Sequence, residues 1–167
     1  MKFAFDVAYN ENNIAQVVAI GFDRWEDDAP KVIYKEFVIG LQEYTPGEFY
    51  KRELPCIEKI LTKLDPAAIE LIIIDGFVVL DDSGKTGLGA HLYENLQRRI
   101  PVIGVAKTSF AGNLKNVREV FRGQSAKPLF VSSIGIDLEE AAVKIGSMHG
   151  SYRIPTLLKK LDQLTKK

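Results

Sequence analysis

Three acidic residues lie at positions where burying a carboxylate costs free energy unless a partner neutralises its charge. Asp6 interrupts an apolar stretch between Phe5 and Val7, and Asp75 ends a run of Leu and Ile residues. A desolvated carboxylate needs a partner for its charge, and a divalent cation that prefers several oxygen ligands is one such partner. Glu53, on a predicted helix, would lie close to these two residues. The three acids make a metal site plausible, while a turn, a helix cap and a solvated helix surface remain the ordinary alternatives for each acid alone.

The first part of the chain has the patterns of strands. Residues 2–8, 14–22 and 32–39 are rich in apolar and β-branched residues and are separated by turn-forming segments, so they predict an antiparallel meander. Residues 70–75 form a run that is apolar on both faces, which is typical of a buried central strand. Two of the three acids therefore lie on predicted strands.

The third acid lies on a predicted helix. Apolar residues recur at helical spacing from Pro46 to Leu64, and Thr45 before the proline is a suitable cap. Pro55 falls inside this segment and predicts a kink or a split, because proline removes one helical hydrogen bond. Glu53 would then lie on or near the face that packs over the sheet.

The second half of the chain alternates helices and strands, which predicts a right-handed βαβ crossover from the central strand. Together with the meander it gives one α/β domain over residues 1–167: three antiparallel strands, then parallel βα units. Asp137 is placed to cap the first of the two closing helices. The predicted elements are a helix at 87–99, a strand at 102–106, a strand at 128–133, and helices at 138–147 and 154–165.

The composition excludes some classes of protein and leaves others open. Of 167 residues, 46% are apolar and the 22 basic residues balance the 22 acidic ones, so charge neither indicates nor excludes a nucleic-acid partner. The single cysteine, Cys56, has no partner for a disulfide. The first residues lack the features of a signal peptide, and no apolar run is long enough for a membrane span, so we expect a cytoplasmic protein without a membrane partner.

Several residues with chemical potential have simpler interpretations. His91 on a helix is interpreted as a packed histidine. The glycines at residues 84–89 do not form a phosphate-binding loop, because the required upstream glycine and the following Gly-Lys-Ser/Thr are missing. The C-terminal lysines are interpreted as a solvated helix face; they are Lys159, Lys160, Lys166 and Lys167.

Five short segments, taken in order, resemble the endonuclease V family. Each is weak alone, but their order and spacing agree from Asp6 to Lys107, and residues 128–141 resemble the late strand and helix of that family. The five segments are Tyr-Thr-Pro-Gly at 44–47, Arg-Glu-Leu-Pro at 52–55, Ile-Asp-Gly at 74–76, Gly-Leu-Gly-Ala-His-Leu at 87–92 and Pro-Val-Ile-Gly-Val-Ala-Lys at 101–107.

The resemblance implies a ribonuclease H-like fold and a metal-dependent endonuclease. The implied reaction is hydrolysis of a phosphodiester bond near a deaminated purine, inosine or deoxyinosine, in DNA repair or RNA processing. Magnesium is the implied cofactor, with manganese as an alternative, and Asp6, Glu53 and Asp75 are its implied ligands. A metal-bound water is a strong nucleophile at neutral pH, so this ligand set suits the reaction.

The resemblance also implies a set of substrate contacts. Lys107 would lie at the substrate phosphate, for which its point charge is suited. Tyr44 and Pro46 would belong to a wedge beside the damaged base, and Gly76 would line the substrate site. The implied partner is DNA or RNA that contains a deaminated base.

Two segments depart from the family pattern. The family has Asp-Gly-His-Gly and then His-Pro-Arg where this chain has residues 75–82 without histidine or arginine. The late Gly-His-Arg of the family is replaced at residues 133–136, and the nearby Asp137 is a possible further metal ligand or a helix cap. These changes leave two alternatives to an inosine-specific nuclease: a nucleic-acid-binding module without turnover, and a nuclease of altered specificity.

Overall fold

The computed structural model describes residues 1–40, 43, 46, 48 and 50–167. Seven strands in these residues form one mixed sheet around which the helices pack. The strands are β1 (Lys2–Tyr9), β2 (Ala15–Phe22), β3 (Val32–Val38), β4 (Leu71–Asp75), β5 (Val102–Ala106), β6 (Arg118–Val120) and β7 (Leu129–Ile134), arranged in the order β3-β2-β1-β4-β5-β7-β6.

The predicted meander and central strand are confirmed. Strands β1, β2 and β3 pair antiparallel, and β4 lies parallel to β1 with Phe5 opposite Ile74. The apolar residues of β4 are buried on both faces, as expected for a central strand. β5 lies parallel to β4, so the βαβ crossover formed as predicted. The carboxyl ends of β4 and β5 therefore meet at one edge of the sheet.

The prediction of parallel units fails beyond β5. β7 runs antiparallel to β5, and β6 pairs antiparallel with β7. The physical reason is that the described connection from β5 to β6 contains no helix, and the hairpin from β6 to β7 reverses the chain. β6 was missed in the sequence because a strand of three residues has too few positions to show an alternating pattern.

Four α-helices cover the two faces of the sheet within the described residues. α1 and α2 pack on one face, and α3 and α4 pack on the other, so each face has its own apolar core. None of the described helices has the length and apolar character needed to cross a membrane. The helices are α1 (Tyr50–Leu61), α2 (Leu88–Asn95), α3 (Leu138–Gly146) and α4 (Thr156–Thr165), with a 3₁₀ turn at Pro66–Ala68.

Two helix predictions need correction. α1 runs without a break through Pro55, so the predicted split is wrong. The proline lies near the helix start, where the missing N–H removes a single bond to the carbonyl of Lys51. α2 ends at Asn95, four residues earlier than predicted, because Gln97 and Arg98 have φ values of 58° in the left-handed region, which a continuing helix does not allow.

Candidate active site

The three predicted acids come together at the centre of the sheet. Asp6 follows Phe5 in β1, and Asp75 follows the paired Ile74 at the end of β4, so the two acids are neighbours on parallel strands. Glu53 in the first turn of α1 lies over them, and all three side chains line one small cavity. The local sequence pattern predicted the strand or helix that carries each acid. The register of the strands in the fold then brings the three acids together.

The three carboxylates of this cluster repel one another and are poorly solvated. Burial, together with the negative charges of Asp75 and Asp6, raises the pKa of Glu53 to about 8 against the opposing positive charge of Arg52. Burial also raises the pKa of Asp6 to about 6, opposed by a hydrogen bond from Thr165. Each carboxylate is thus costly to ionise without a cation between them.

Asp75 is the most accessible of the three acids. Its side chain is exposed at the sheet edge, yet the protein atoms crowded around the carboxylate exclude enough water to raise its pKa. The positive charge of Lys107 opposes this rise. Asp75 is therefore the residue of the cluster that is most open to solvent.

The donor chemistry of the cluster suits a hard divalent cation. Carboxylate oxygens are the ligands that Mg²⁺ and Mn²⁺ prefer, and a cation would relieve the repulsion between the acids. Among the described residues, no three His, Cys, Asp or Glu side chains are placed closely enough to enclose an ion as they stand. Holding one would require the carboxylates to turn toward a common point.

A fourth acid, Asp162 of α4, belongs to the same site and was missed in the sequence. It lines a second cavity together with Asp6, Asp75 and Lys107. Its Oδ1 lies 3.8 Å from Lys107 Nζ, and its Oδ2 lies 3.0 Å from Lys166 Nζ. Burial acts to raise the pKa of Asp162, but the hydrogen bond from Lys166 and the positive charges of Lys107, Lys166 and Lys159 outweigh it, so its pKa is lowered.

A weak signal for Asp162 was present in the sequence. The residue follows Leu161 and comes four positions after Leu158, and both leucines pack on the sheet. The residue therefore lies at the border of the apolar stripe by which the helix packs on the protein. Only the fold shows that this border points at Asp6 rather than at another element.

The last turn of α4 is hydrogen-bonded to residues of β1 and β2. Thr165 is almost fully buried, and its Oγ1 lies 2.8 Å from Asp6 Oδ2. Gln16 of β2 donates from Nε2 to the carbonyl oxygen of Leu164 at 3.2 Å. These contacts orient the carboxylate of Asp6 and hold Asp162 beside it.

Lys107 lies directly after β5, at the same edge of the sheet as Asp75. Its side chain is exposed and lines the cavity that contains Asp6, Asp75 and Asp162. The loop after Asp75 passes close to β5: a Cβ on Gly104 would lie 2.5 Å from the carbonyl oxygen of Gly76. Glycine at position 104 therefore permits the close approach that sets Asp75 beside Lys107.

The other predicted site residues do not all reach this cluster. Asp137 caps α3, with its Oδ2 accepting from Glu140 N at 3.1 Å, and it lines neither carboxylate cavity. The capping interpretation of Asp137 is thus confirmed. Pro46 lies in an exposed turn, and Tyr44 falls outside the described residues, so the wedge stays a prediction. His91 stacks on Tyr50 with ring centroids 3.6 Å apart, which confirms a packing role between α1 and α2.

The loop after Asp75, where the family histidines are missing, is a short hairpin tied to its neighbour. Val79 and Thr86 form an antiparallel bridge. Asp82 Oδ1 accepts from the backbone N–H groups of Leu114 and Lys115 at 2.6 and 2.7 Å. Asn113 Nδ2 also donates to the carbonyl oxygen of Val79 at 2.8 Å, and Asn116 Nδ2 donates to that of Asp81 at 3.2 Å. The two loops that follow β4 and β5 are therefore held together by several hydrogen bonds.

The comparison with protein families decides the relationship of this chain. A sequence model described as Endonuclease V matches residues 3–124, which includes Asp6, Glu53, Asp75 and Lys107. The chain belongs to the endonuclease V family. The match covers most of the chain, so the family resemblance of the sequence is confirmed.

Relatives of similar sequence and solved structures agree with this assignment. Endonuclease V of Streptomyces avermitilis is 29% identical over 97% of this chain and 77% of its own length, and that of Saccharolobus solfataricus is 28% identical over 97% and 79%. The crystal structure of the Streptomyces enzyme has a TM-score of 0.79 at 25% identity, covering 99% of this chain and 79% of the other.

A Ciona intestinalis Endonuclease V structure, in complex with a 24mer DNA that contains an inosine followed by a ribo-adenosine, has a TM-score of 0.75. Its identity is 19%, over 98% of this chain and 83% of the other, so it speaks for the fold alone. The predicted fold class, a ribonuclease H-like mixed sheet with flanking helices, is confirmed by these structures.

The three acids and the loop beside them all lie within residues 3–124, which the family model matches. The two central strands and α1 supply the three predicted carboxylates, whereas the loop at residues 76–87 forms a hairpin that is hydrogen-bonded through Asp82.

Proposed function

We propose that this endonuclease V-family chain is a metal-dependent endonuclease that hydrolyses a phosphodiester bond near a deaminated purine in DNA or RNA. The observation that supports it most is the gathering of Asp6, Glu53 and Asp75 in one desolvated cavity beside Lys107. A binding module has no need of repelling acids at its centre, and their cost to stability is explained by a bound cation. The substrate class is proposed from the family, one member of which, that of Ciona intestinalis, is in complex with inosine-containing DNA in its crystal structure.

The proposed metal is Mg²⁺, with Mn²⁺ as an alternative. Asp6, Glu53 and Asp75 would hold it, and Asp162 is the further carboxylate within the site. When bound, the metal would acidify a water molecule and neutralise charge on the phosphate. Thr165 fixes the orientation of the Asp6 carboxylate by its hydrogen bond.

Lys107 is proposed to contact the phosphate that is cut. Its ammonium group is exposed at the edge where Asp75 ends, and its ion pair to Asp162 at 3.8 Å is long. A phosphate oxygen would gain a charge-assisted hydrogen bond from Nζ. Tyr44, Pro46 and Gly76 are proposed to position the strand next to the lesion.

A second candidate function, a nuclease of altered specificity, is favoured by the loop at residues 76–87. Asp82 accepts two backbone hydrogen bonds from residues 114 and 115, so the loop has a defined conformation without the family histidines. Specificity for a base is set by the groups around it, and a rebuilt loop would present different groups. The same carboxylates would then cut another substrate.

The test is cleavage of end-labelled DNA and RNA strands that carry one deoxyinosine or inosine, with Mg²⁺ or Mn²⁺. We expect metal-dependent cutting near the lesion that Asp75→Asn abolishes and Asp137→Asn, the matched control, leaves intact. Equal cutting of lesion and control strands, still lost in Asp75→Asn, would favour the second candidate. Binding without any cutting by the unmodified protein would reject both and favour a binding module.

A further inference from the structure

An open groove of about 1170 Å³ adjoins the active site and has no role in the function proposed above. It runs along one side of α4 and is bordered by the loops that precede α4 and β7. Ile154 lines both the groove and the cavity that contains Asp6, Asp75 and Lys107, so the two adjoin at this residue, while α4 lies between the rest of their linings. Its polar and charged lining residues include Gln124, Tyr152, Arg153, Lys159, Lys160 and Gln163.

A buried arginine fixes the wall of this groove. Arg122 is 5% exposed, and its guanidinium donates to the carbonyl oxygens of Met148, Gly150 and Tyr152 at 2.5, 3.1 and 2.6 Å. Burying a guanidinium is costly, and four loop carbonyls, that of Arg153 included, serve as its partners here. The loop at residues 148–153 is thereby held in one conformation before any ligand arrives.

The same loop connects the groove to the catalytic lysine. Arg153 donates from Nε and Nη2 to the carbonyl oxygen of Pro128, at 3.2 and 2.7 Å, and from Nη2 to the carbonyl oxygen of Lys107. Its side chain therefore spans from the groove to the backbone of Lys107.

The lining of the groove is cationic. Arg153, Lys159 and Lys160 have no carboxylate within ion-pair distance in the described part of the chain, whereas Asp28 is the acidic residue among the lining side chains. Both lysines are exposed. Tyr152 at the rim is 79% exposed, so its ring is accessible to a flat ligand.

We propose that this groove binds the unpaired flank of the nucleic-acid strand as it leaves the scissile bond. Lys159 and Lys160 contact successive phosphates, and Tyr152 stacks on a base, which is the combination that recognises single strands without sequence preference. The inference rests on the proposed function for its occupant. For its position it rests on Ile154, which lines both spaces, and on Arg153, which lines the groove and donates to the backbone of Lys107. It adds an anchoring subsite outside the reaction centre.

The test measures how affinity depends on strand length and salt. Labelled single strands with one deoxyinosine either end at the lesion or extend ~12 nucleotides beyond it on one side, and Ca²⁺ replaces Mg²⁺ so that binding is measured without cutting. The variants are Lys159→Glu/Lys160→Glu and Tyr152→Ala. The matched control, Lys35→Glu/Arg99→Glu, makes the same charge change at two exposed residues outside the groove.

We expect the unmodified protein to bind one of the extended strands more tightly than the short strand. The lysine variant loses this gain, and the slope of log Kd against log salt falls by about 1.4, the value for two single-strand phosphate contacts. Tyr152→Ala weakens binding of the extended strand by about fivefold or more. The control retains both the gain and the length dependence.

Two results would overturn the inference. One is an affinity of the unmodified protein that does not depend on strand length, and the other is a lysine variant that behaves like the control. If the lysine variant loses the length dependence but the unmodified protein cuts no strand with Mg²⁺, the proposed groove stands and the proposed nuclease activity is rejected. If the unmodified protein cuts the strands but the lysine variant binds like the control, the nuclease activity stands and the groove is rejected.

Discussion

The hydroxyl oxygen of Thr165 lies 2.8 Å from a carboxylate oxygen of Asp6, although 159 residues separate the two in the chain. Thr165 also lies 2.9 Å from the carbonyl oxygen of Asp162. The single hydroxyl proton serves one acceptor at a time, and donation to Asp6 favours the ionised carboxylate. The C-terminal turn of α4 thus prepares an acid of β1 for a cation.

Replacement of Thr165 tests this relationship. Thr165→Val keeps the shape of the side chain and removes the hydrogen bond, so we expect the pKa of Asp6 to rise and the Mg²⁺ affinity to fall. Loss of such a supporting partner costs about 10–100-fold in metal affinity or activity. The measurement is the cleavage rate as a function of Mg²⁺ concentration and pH. Thr165→Ser keeps the donor and should restore most of the rate, and a valine variant equal to the unmodified protein would contradict the role.

The charge of Glu53 makes the metal-free protein sensitive to pH. In the folded state its pKa is raised by burial from 4.5 to about 8, so this side chain retains a proton that the unfolded chain releases. Its contribution opposes folding increasingly as pH rises from 4.5 to 8 and is absent below 4.5. We expect thermal unfolding in EDTA to occur at a lower temperature at pH 8 than at pH 5.

Two comparisons isolate this effect. Glu53→Gln should flatten the pH dependence of the unfolding temperature, while Glu11→Gln at an exposed turn makes the same charge change and should leave it as it is. Added Mg²⁺ should raise the unfolding temperature more at pH 8 than at pH 5, because the ion binds the ionised acids. A stability that does not change with pH in EDTA would show that Glu53 is not desolvated.

A pair of matched variants distinguishes the role of Asp162 from that of Asp137. Asp162→Asn removes the fourth charge from the site, and we expect cleavage to fall by more than about tenfold with strand binding retained. Asp137→Asn should keep both cleavage and stability, since Asn caps a helix as well as Asp does. Rates under saturating strand and Mg²⁺ are the measurement. An active Asp162→Asn with an inactive Asp137→Asn would reverse this assignment.

Gly104 is expected to tolerate no side chain. A Cβ there would lie 2.5 Å from the carbonyl oxygen of Gly76 and 2.7 Å from Ser132 Oγ, so Gly104→Ala forces the loop after Asp75 outward. Overpacking of this kind costs about 1–3 kcal/mol of unfolding free energy, which urea denaturation measures. Gly146→Ala, whose Cβ would lie 3.5 Å from its neighbour, is the control and should be neutral or stabilising.

Much of the fold followed from local pattern. The alternating and continuous apolar runs of β1 to β5 and the helical spacing of α1, α3 and α4 predicted these elements, because burial of one face imposes a period on the sequence. The period says nothing about strand direction, so β7 was assigned to a parallel unit and is antiparallel. The end of α2 was missed because the left-handed residues 97 and 98 are a Gln and an Arg, which do not signal a stop.

The sequence by itself determined the residue types of the site, namely Asp6, Glu53, Asp75 and Lys107, and the family to which they point. Only the tertiary structure decided that Asp162 joins them and that Asp137 does not. The physical reason is that a metal or phosphate site is built from side chains brought together by strand register and helix packing. Contacts across more than a hundred residues depend on how the whole core packs, and no local period encodes them.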